Sequence, residues 1–180
     1  MDNKEASLKE IINIVKDAVS KEAYSAAFFC ALSLPDICSQ IEYKRKQGEK
    51  KYYIKWYDEF IFKYEVPNYD DDKWDNMRNI DKLDGEFIYL LRCKLFHEGE
   101  LYHKELDKLI RNKFQKEYED KKINLEFDLN AEFDSFGYYD SSWKPDEITI
   151  RIRLNQKNLT NKLIWTSEGL IRKRRGLDNN

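Results

Sequence analysis

An arginine and a histidine held close together can break an RNA phosphodiester without metal. This chain of 180 residues carries an arginine and a histidine with four residues between them, Arg92 and His97, in LDGEFIYLLRCKLFHEG (residues 83–99). RNA supplies its own nucleophile, because the 2′-hydroxyl can attack the adjacent phosphorus. The reaction then needs a proton acceptor, a proton donor for the leaving oxygen, and positive charge on the crowded phosphate. Histidine, with an ordinary pKa of about 6.5, serves as base or acid near neutrality. Arginine presents a planar, permanently charged fork to phosphate oxygens and stabilises the charge that builds up on them. The same two residues also have a structural reading. A histidine in the last turn of a helix is favoured by the helix dipole, and an arginine can pair with a carboxylate on another element. The second histidine, His103, reads as a surface residue.

The pair must be positioned by the stretch that carries it. At about 100° per residue, Leu83, Phe87, Leu90 and Leu91 share one side of a helix. Ile88 and Leu95 widen that side, and Phe96 falls near the opposite one. A helix this apolar is expected at the centre of its domain or against a partner. Glu86, Tyr89, Cys93 and His97 follow a more polar stripe, on which Glu86 and Tyr89 can orient the imidazole. Arg92 lies about 140° round from His97. The two converge if the last turn unwinds, or if a second copy packs across a two-fold axis. Gly85, near the Arg92 side, admits another backbone. Asp81 is expected to cap this helix, with Asp84 in its first turn and Gly99 ending it.

The segment LRCKLFHEG resembles the RxxxxH signature of the HEPN superfamily, the higher eukaryote and prokaryote nucleotide-binding domains. AFFCALSLPDICSQIEY resembles the long first core helix of such proteins, and the likeness covers roughly the first two thirds of the chain. Many members are dimeric, metal-independent ribonucleases of toxin–antitoxin and phage-defence systems. The resemblance implies Arg92 and His97 as the catalytic pair, two sites per homodimer and 2′,3′-cyclic phosphate products. Active members usually carry a polar residue directly after the arginine, where this chain has Cys93.

Composition narrows the function classes. The formal net charge of −2 excludes a global positive field, so any RNA contact is local. Arg172, Lys173, Arg174 and Arg175 form the candidate RNA-binding cluster. The longest apolar run, residues 26–34, is too short to span a bilayer, and no secretory leader is recognisable. Cys30, Cys38 and Cys93 sit in apolar segments and read as reduced thiols of a cytoplasmic protein. Two histidines and no CxxC argue against a zinc site, and no cofactor is expected.

Along the chain, Leu8, Ile11, Ile12, Val15 and Val19 keep helical spacing. A second helix is expected over about 21–43, capped by Ser20 and kinked or divided at Pro35. Residues 44–51, KRKQGEKK, form a basic link. Tyr53, Trp56, Tyr57, Phe60, Ile61 and Tyr64 then predict a helix burying an aromatic stripe. Residues 65–80 read as a loop with an acidic run at Asp70–Asp72. A fifth helix is predicted over about 104–119, with Leu106, Leu109, Ile110 and Phe114 inward. Residues 123–129 and 148–154 alternate as two strands. If these pair antiparallel, Arg151 and Arg153 can face Glu126 and Asp128. A short final helix is expected over about 158–172.

The expected fold is mainly α: an HEPN-like bundle of about five helices (residues 1–120), then a small C-terminal β-ribbon, short helix and basic tail (121–180). The expected function is a metal-independent RNA endonuclease of a bacterial defence or toxin–antitoxin system. It would act as a homodimer, beside a cognate antitoxin or nucleotidyltransferase and away from membranes. The alternative is a non-catalytic protein- or nucleotide-binding module of the same fold.

Overall fold

The apolar period at the N-terminus closes into α1 (Asn3–Ser20), which buries Leu8, Ile12 and Val15. A computed structural model describes residues 3–65, 83–97, 104–114, 118–129 and 137–176. The expected cap of the second helix by Ser20 is not made. The Ser20 hydroxyl donates back to the Asp17 carbonyl at 2.7 Å, and Glu22 turns the chain at φ 58°. The cap position falls to Ala23, which offers no side-chain acceptor.

Pro35 divides the second helix into α2 (Tyr24–Ala31) and α3 (Leu34–Glu42). Proline is tolerated in the first turn of α3 because the amide it lacks has no helical partner there. The break is shallow, since Ser33 keeps right-handed helical angles. The basic link then closes against α3. A side chain at Gly48 would meet the Asp36 carboxylate, which would have to swing aside to admit it.

α4 (Lys50–Tyr57) continues through a π-helical segment (Asp58–Phe62) into the short α5 (Lys63–Glu65). Tyr53, Trp56, Tyr57 and Ile61 are buried as the stripe predicts. The Tyr53 hydroxyl donates to the Leu32 carbonyl at 3.0 Å. Phe60 is only half-buried and Tyr64 is 74% exposed, against the expected stripe. The π segment explains this: its i→i+5 turn holds an extra residue and rotates Tyr64 out of phase with the stripe.

The final helix, α8 (Gln156–Arg174), is long rather than short. It buries Leu159, Leu163 and Leu170. It lies antiparallel to α1, since Lys16 meets Glu168 while Glu5 meets Arg175. The chain accordingly groups into two units, residues 1–64 with 156–180, and residues 65–155. A boundary at residue 120 is not how the contacts divide; α8 belongs with the N-terminal helices.

The second unit holds α6 (Gly85–His97), α7 (Lys104–Phe114) and a small sheet. α7 buries Leu106, Ile110 and Phe114, and the Arg111 guanidinium donates to the Ile123 carbonyl of the first strand. The expected two-stranded antiparallel ribbon is a three-stranded sheet of order β1-β3-β2. Its strands are β1 (Lys122–Asp128), β2 (Gly137–Lys144) and β3 (Glu147–Arg153). β1 and β3 pair parallel, and β2 pairs antiparallel with β3. The expected partners still meet, with Glu126 opposite Arg151 and Asp128 opposite Arg153. Alternation assigns faces whatever the strand direction. Ile123, Leu125, Ile148, Ile150 and Ile152 make the buried face. The sequence YYDSSWK of β2 lacks alternation and reads as a connection, which hid the third strand.

Asp81, Gly99, His103 and the acidic run at Asp70–Asp72 lie outside the described residues. Among the described residues no helix is long and apolar enough to cross a membrane.

Candidate functional site

α6 starts where Asp84 supplies what its first turn lacks. The Asp84 Oδ1 accepts the Phe87 backbone N–H at 3.1 Å, satisfying one of the amides a helix start leaves open. Asp84, expected one turn inside, is therefore a cap. Its carboxylate also takes the Lys113 ammonium of α7, joining the two helices. Asp84→Ala removes both interactions. It is expected to destabilise the protein by about 1 kcal/mol or somewhat more, read from the urea midpoint at unchanged slope.

The two sides of α6 differ. Leu83, Phe87, Ile88, Leu90, Leu91 and Leu95 are buried, while Glu86, Tyr89, Arg92 and Cys93 are half-buried. At about 100° per residue, these four fall on one arc roughly 120° wide, with Arg92 at one edge and Glu86 at the other. Gly85 lies within this arc and is buried. His97 is the last residue of α6; its position falls just beyond Glu86, about 140° from Arg92 and roughly 7.5 Å along the axis. The His97 side chain is outside the described set. The helix stays α-helical through His97, so no unwound turn inside it brings the two positions onto one line. Arg92, Tyr89, Cys93, Glu86 and the His97 position thus border one less-covered side of α6.

The remaining predicted residues belong to the other unit. Arg172, Lys173 and Arg174 end α8, Arg175 follows it, and all four are exposed. Lys173 pairs with Glu42 at 3.3 Å. Arg175 holds Glu5 through Nε at 3.2 Å and Nη2 at 3.1 Å, and Glu5 also takes Lys9 at 2.7 Å. Sequence reasoning missed both carboxylates. They lie more than 130 positions from the tail, and no local pattern joins them to it.

All three cysteines are free thiols. Cys38 is buried against α8, with its Sγ 3.3 Å from the Ser167 hydroxyl. Burial pushes this thiol up to about 12, over the smaller opposing effect of Ser167. Cys30 and Cys93 are half-buried. At pH near 8, a disulfide reagent is expected to label Cys30 and Cys93 in the native protein, and Cys38 only after unfolding. The unfolded Cys38 thiol ionises near 9.0 while the native one keeps its proton, so the unfolded state is favoured as pH rises above that value. Melting temperature should fall more steeply above pH 9 in the wild type than in Cys38→Ala. Among the described residues, no group of three or more His, Cys, Asp or Glu can hold a metal ion.

Compared with known protein families, with curated proteins and with solved structures, the chain matches none.

Proposed function

We propose that the protein is a metal-independent RNA endonuclease of the HEPN kind, cutting by 2′-hydroxyl attack and serving a bacterial toxin–antitoxin or phage-defence system. One observation carries this reading: Arg92 and His97 are positions of one unbroken helix, and Arg92 lies on its half-buried arc with Cys93, Tyr89 and Glu86. In this reading Arg92 grips the phosphate and offsets its growing charge, and His97 moves the proton. Glu86 and Tyr89, on the His97 side of the arc, orient the imidazole. The wide angle between Arg92 and His97 favours a homodimer in which two copies of α6 face each other, so that each pair forms across the axis. The basic end of α8 supplies further RNA contacts. The partners are the RNA and a cognate antitoxin or nucleotidyltransferase, and the site is cytoplasmic.

The test is incubation of purified protein with single-stranded RNA in EDTA. Cyclic-phosphate products from the wild type and none from His97→Ala support the reading. No cleavage by the wild type, or equal cleavage by the variant, sinks it.

Cys93 favours a second reading. It places a half-buried thiol where active members of the HEPN superfamily usually carry a polar residue. In that reading the protein is a non-catalytic HEPN-like module that binds a protein or a nucleotide through the same arc. It predicts ligand binding without cleavage, and a loss of thermal stability in His97→Ala.

A further inference from the structure

Three stretches far apart in sequence meet at one end of the unit formed by α1–α5 and α8. In the first turn of α1, Lys4 donates from Nζ to the carbonyls of Arg45 and Lys46, at 3.0 Å to the latter. The neighbouring Glu5 accepts the guanidinium of Arg175, just past α8. Glu42, ending α3, accepts Lys173 at 3.3 Å. The start of α1, the link between α3 and α4, and the end of α8 therefore share one pole. Residues 4–10, 36–51 and 172–175 carry eleven lysines and arginines against five aspartates and glutamates, in a chain whose net charge is −2. Residues 44–46 and 172–174 are all exposed.

The cations are partly set in place before any ligand arrives. Arg45 and Lys51 lie over the Tyr52 ring, at 4.7 and 4.8 Å from its centroid, and Lys55 lies over Tyr43 at 4.6 Å. Contacts of this kind hold a cation by the ring quadrupole and lessen the ordering cost of binding. Glu5 holds Arg175 and Lys9, Glu49 holds Arg45 and Lys51, and Glu42 holds Lys173. They do not cancel the surplus, which is self-repelling in the free protein.

We propose that this pole binds the phosphate backbone of single-stranded RNA. A strand with one charge per nucleotide matches a surplus spread over three chain segments, and neutralising it relieves the repulsion. A lipid surface is a poorer match, because membrane-surface binding combines cations with an apolar face. The large apolar side chains most exposed among the described residues, Ile14, Tyr64 and Trp165, are not in the segments that form the pole. The proposal reaches beyond RNA cleavage and stands without it, since the pole belongs to the unit that does not carry Arg92 and His97.

The test uses the full chain and a 2′-O-methyl oligonucleotide of about 20 residues, which 2′-hydroxyl attack cannot cut. Fluorescence anisotropy across a salt series reads affinity and its salt slope. Lys44→Glu/Lys46→Glu/Arg174→Glu is expected to weaken binding at least tenfold near 100 mM salt and to flatten the slope by about 2. The milder glutamine triple is expected to move both in the same direction by less. Lys21→Glu/Lys157→Glu, at the opposite ends of α1 and α8, should stay within twofold of wild type. The proposal is overturned if the wild type does not bind, or if pole and control variants weaken alike. It is also overturned if phosphatidylserine vesicles or polyglutamate are held more tightly than the oligonucleotide. Failure of cleavage in EDTA leaves these readouts untouched, so the two readings fail separately.

Discussion

His97→Ala is expected to slow RNA cleavage by on the order of 10²–10⁴-fold while the protein stays folded, because positioned proton transfer contributes about that much. Arg92→Ala is expected to lose a similar factor through the phosphate rather than the proton. The angle between the two positions adds a sharper expectation. If each pair is completed across a two-fold axis, a heterodimer of Arg92→Ala with His97→Ala keeps one whole site and concentrates both defects in the other. Co-refolding equal amounts of the two inactive variants should then restore about a quarter of wild-type activity, because half the dimers are mixed and each has one site of two. No recovery, with both variants folded and dimeric, places the pair within one subunit. Melting each variant beside the assay separates chemistry from scaffold, since a catalytic histidine can be removed without a large fall in stability.

Phe87→Ala is expected to act in the opposite way, costing about 3–5 kcal/mol of stability. Phe87 is fully buried on the covered side of α6, far round from the Arg92 edge. Its removal takes away the transfer free energy of the ring and leaves a cavity that neighbours refill only in part. Against a total stability of about 5–15 kcal/mol, much of the margin disappears. Urea unfolding should show a midpoint shift at unchanged slope. Activity measured well below the midpoint should stay near wild type, because the ring does not border the Arg92–His97 arc. Paired with His97→Ala, the variant separates the two roles proposed for this helix, holding it in the unit on one side and acting on RNA on the other.

Features that depend on near neighbours were legible in the residue order. The amphipathic faces of α1, α7 and α8 come from apolar spacing alone. So does the alternation of β1 and β3, but not the parallel register that sets Glu126 opposite Arg151. The break at Pro35 comes from a missing amide. Features for which local preference is nearly balanced were not legible. Ser20 could cap forwards or bond backwards, and Glu22's left-handed turn settled it. Tyr64 keeps the helical spacing of its stripe, yet a π turn carries it to the surface. The strand YYDSSWK has no period to betray it and exists because β3 offers it an edge.

Spacing along the chain was enough to place Arg92 and His97 on one apolar helix with roughly 140° between them, because helical geometry depends on nothing else. Which side of that helix is less covered had to wait for the folded chain, since cover comes from segments distant in sequence. The meeting of the tail cations with Lys4 and the link at residues 44–46 had to wait for it too. Charge acts through space, and only folding brings residues 4, 46 and 175 within reach of one another.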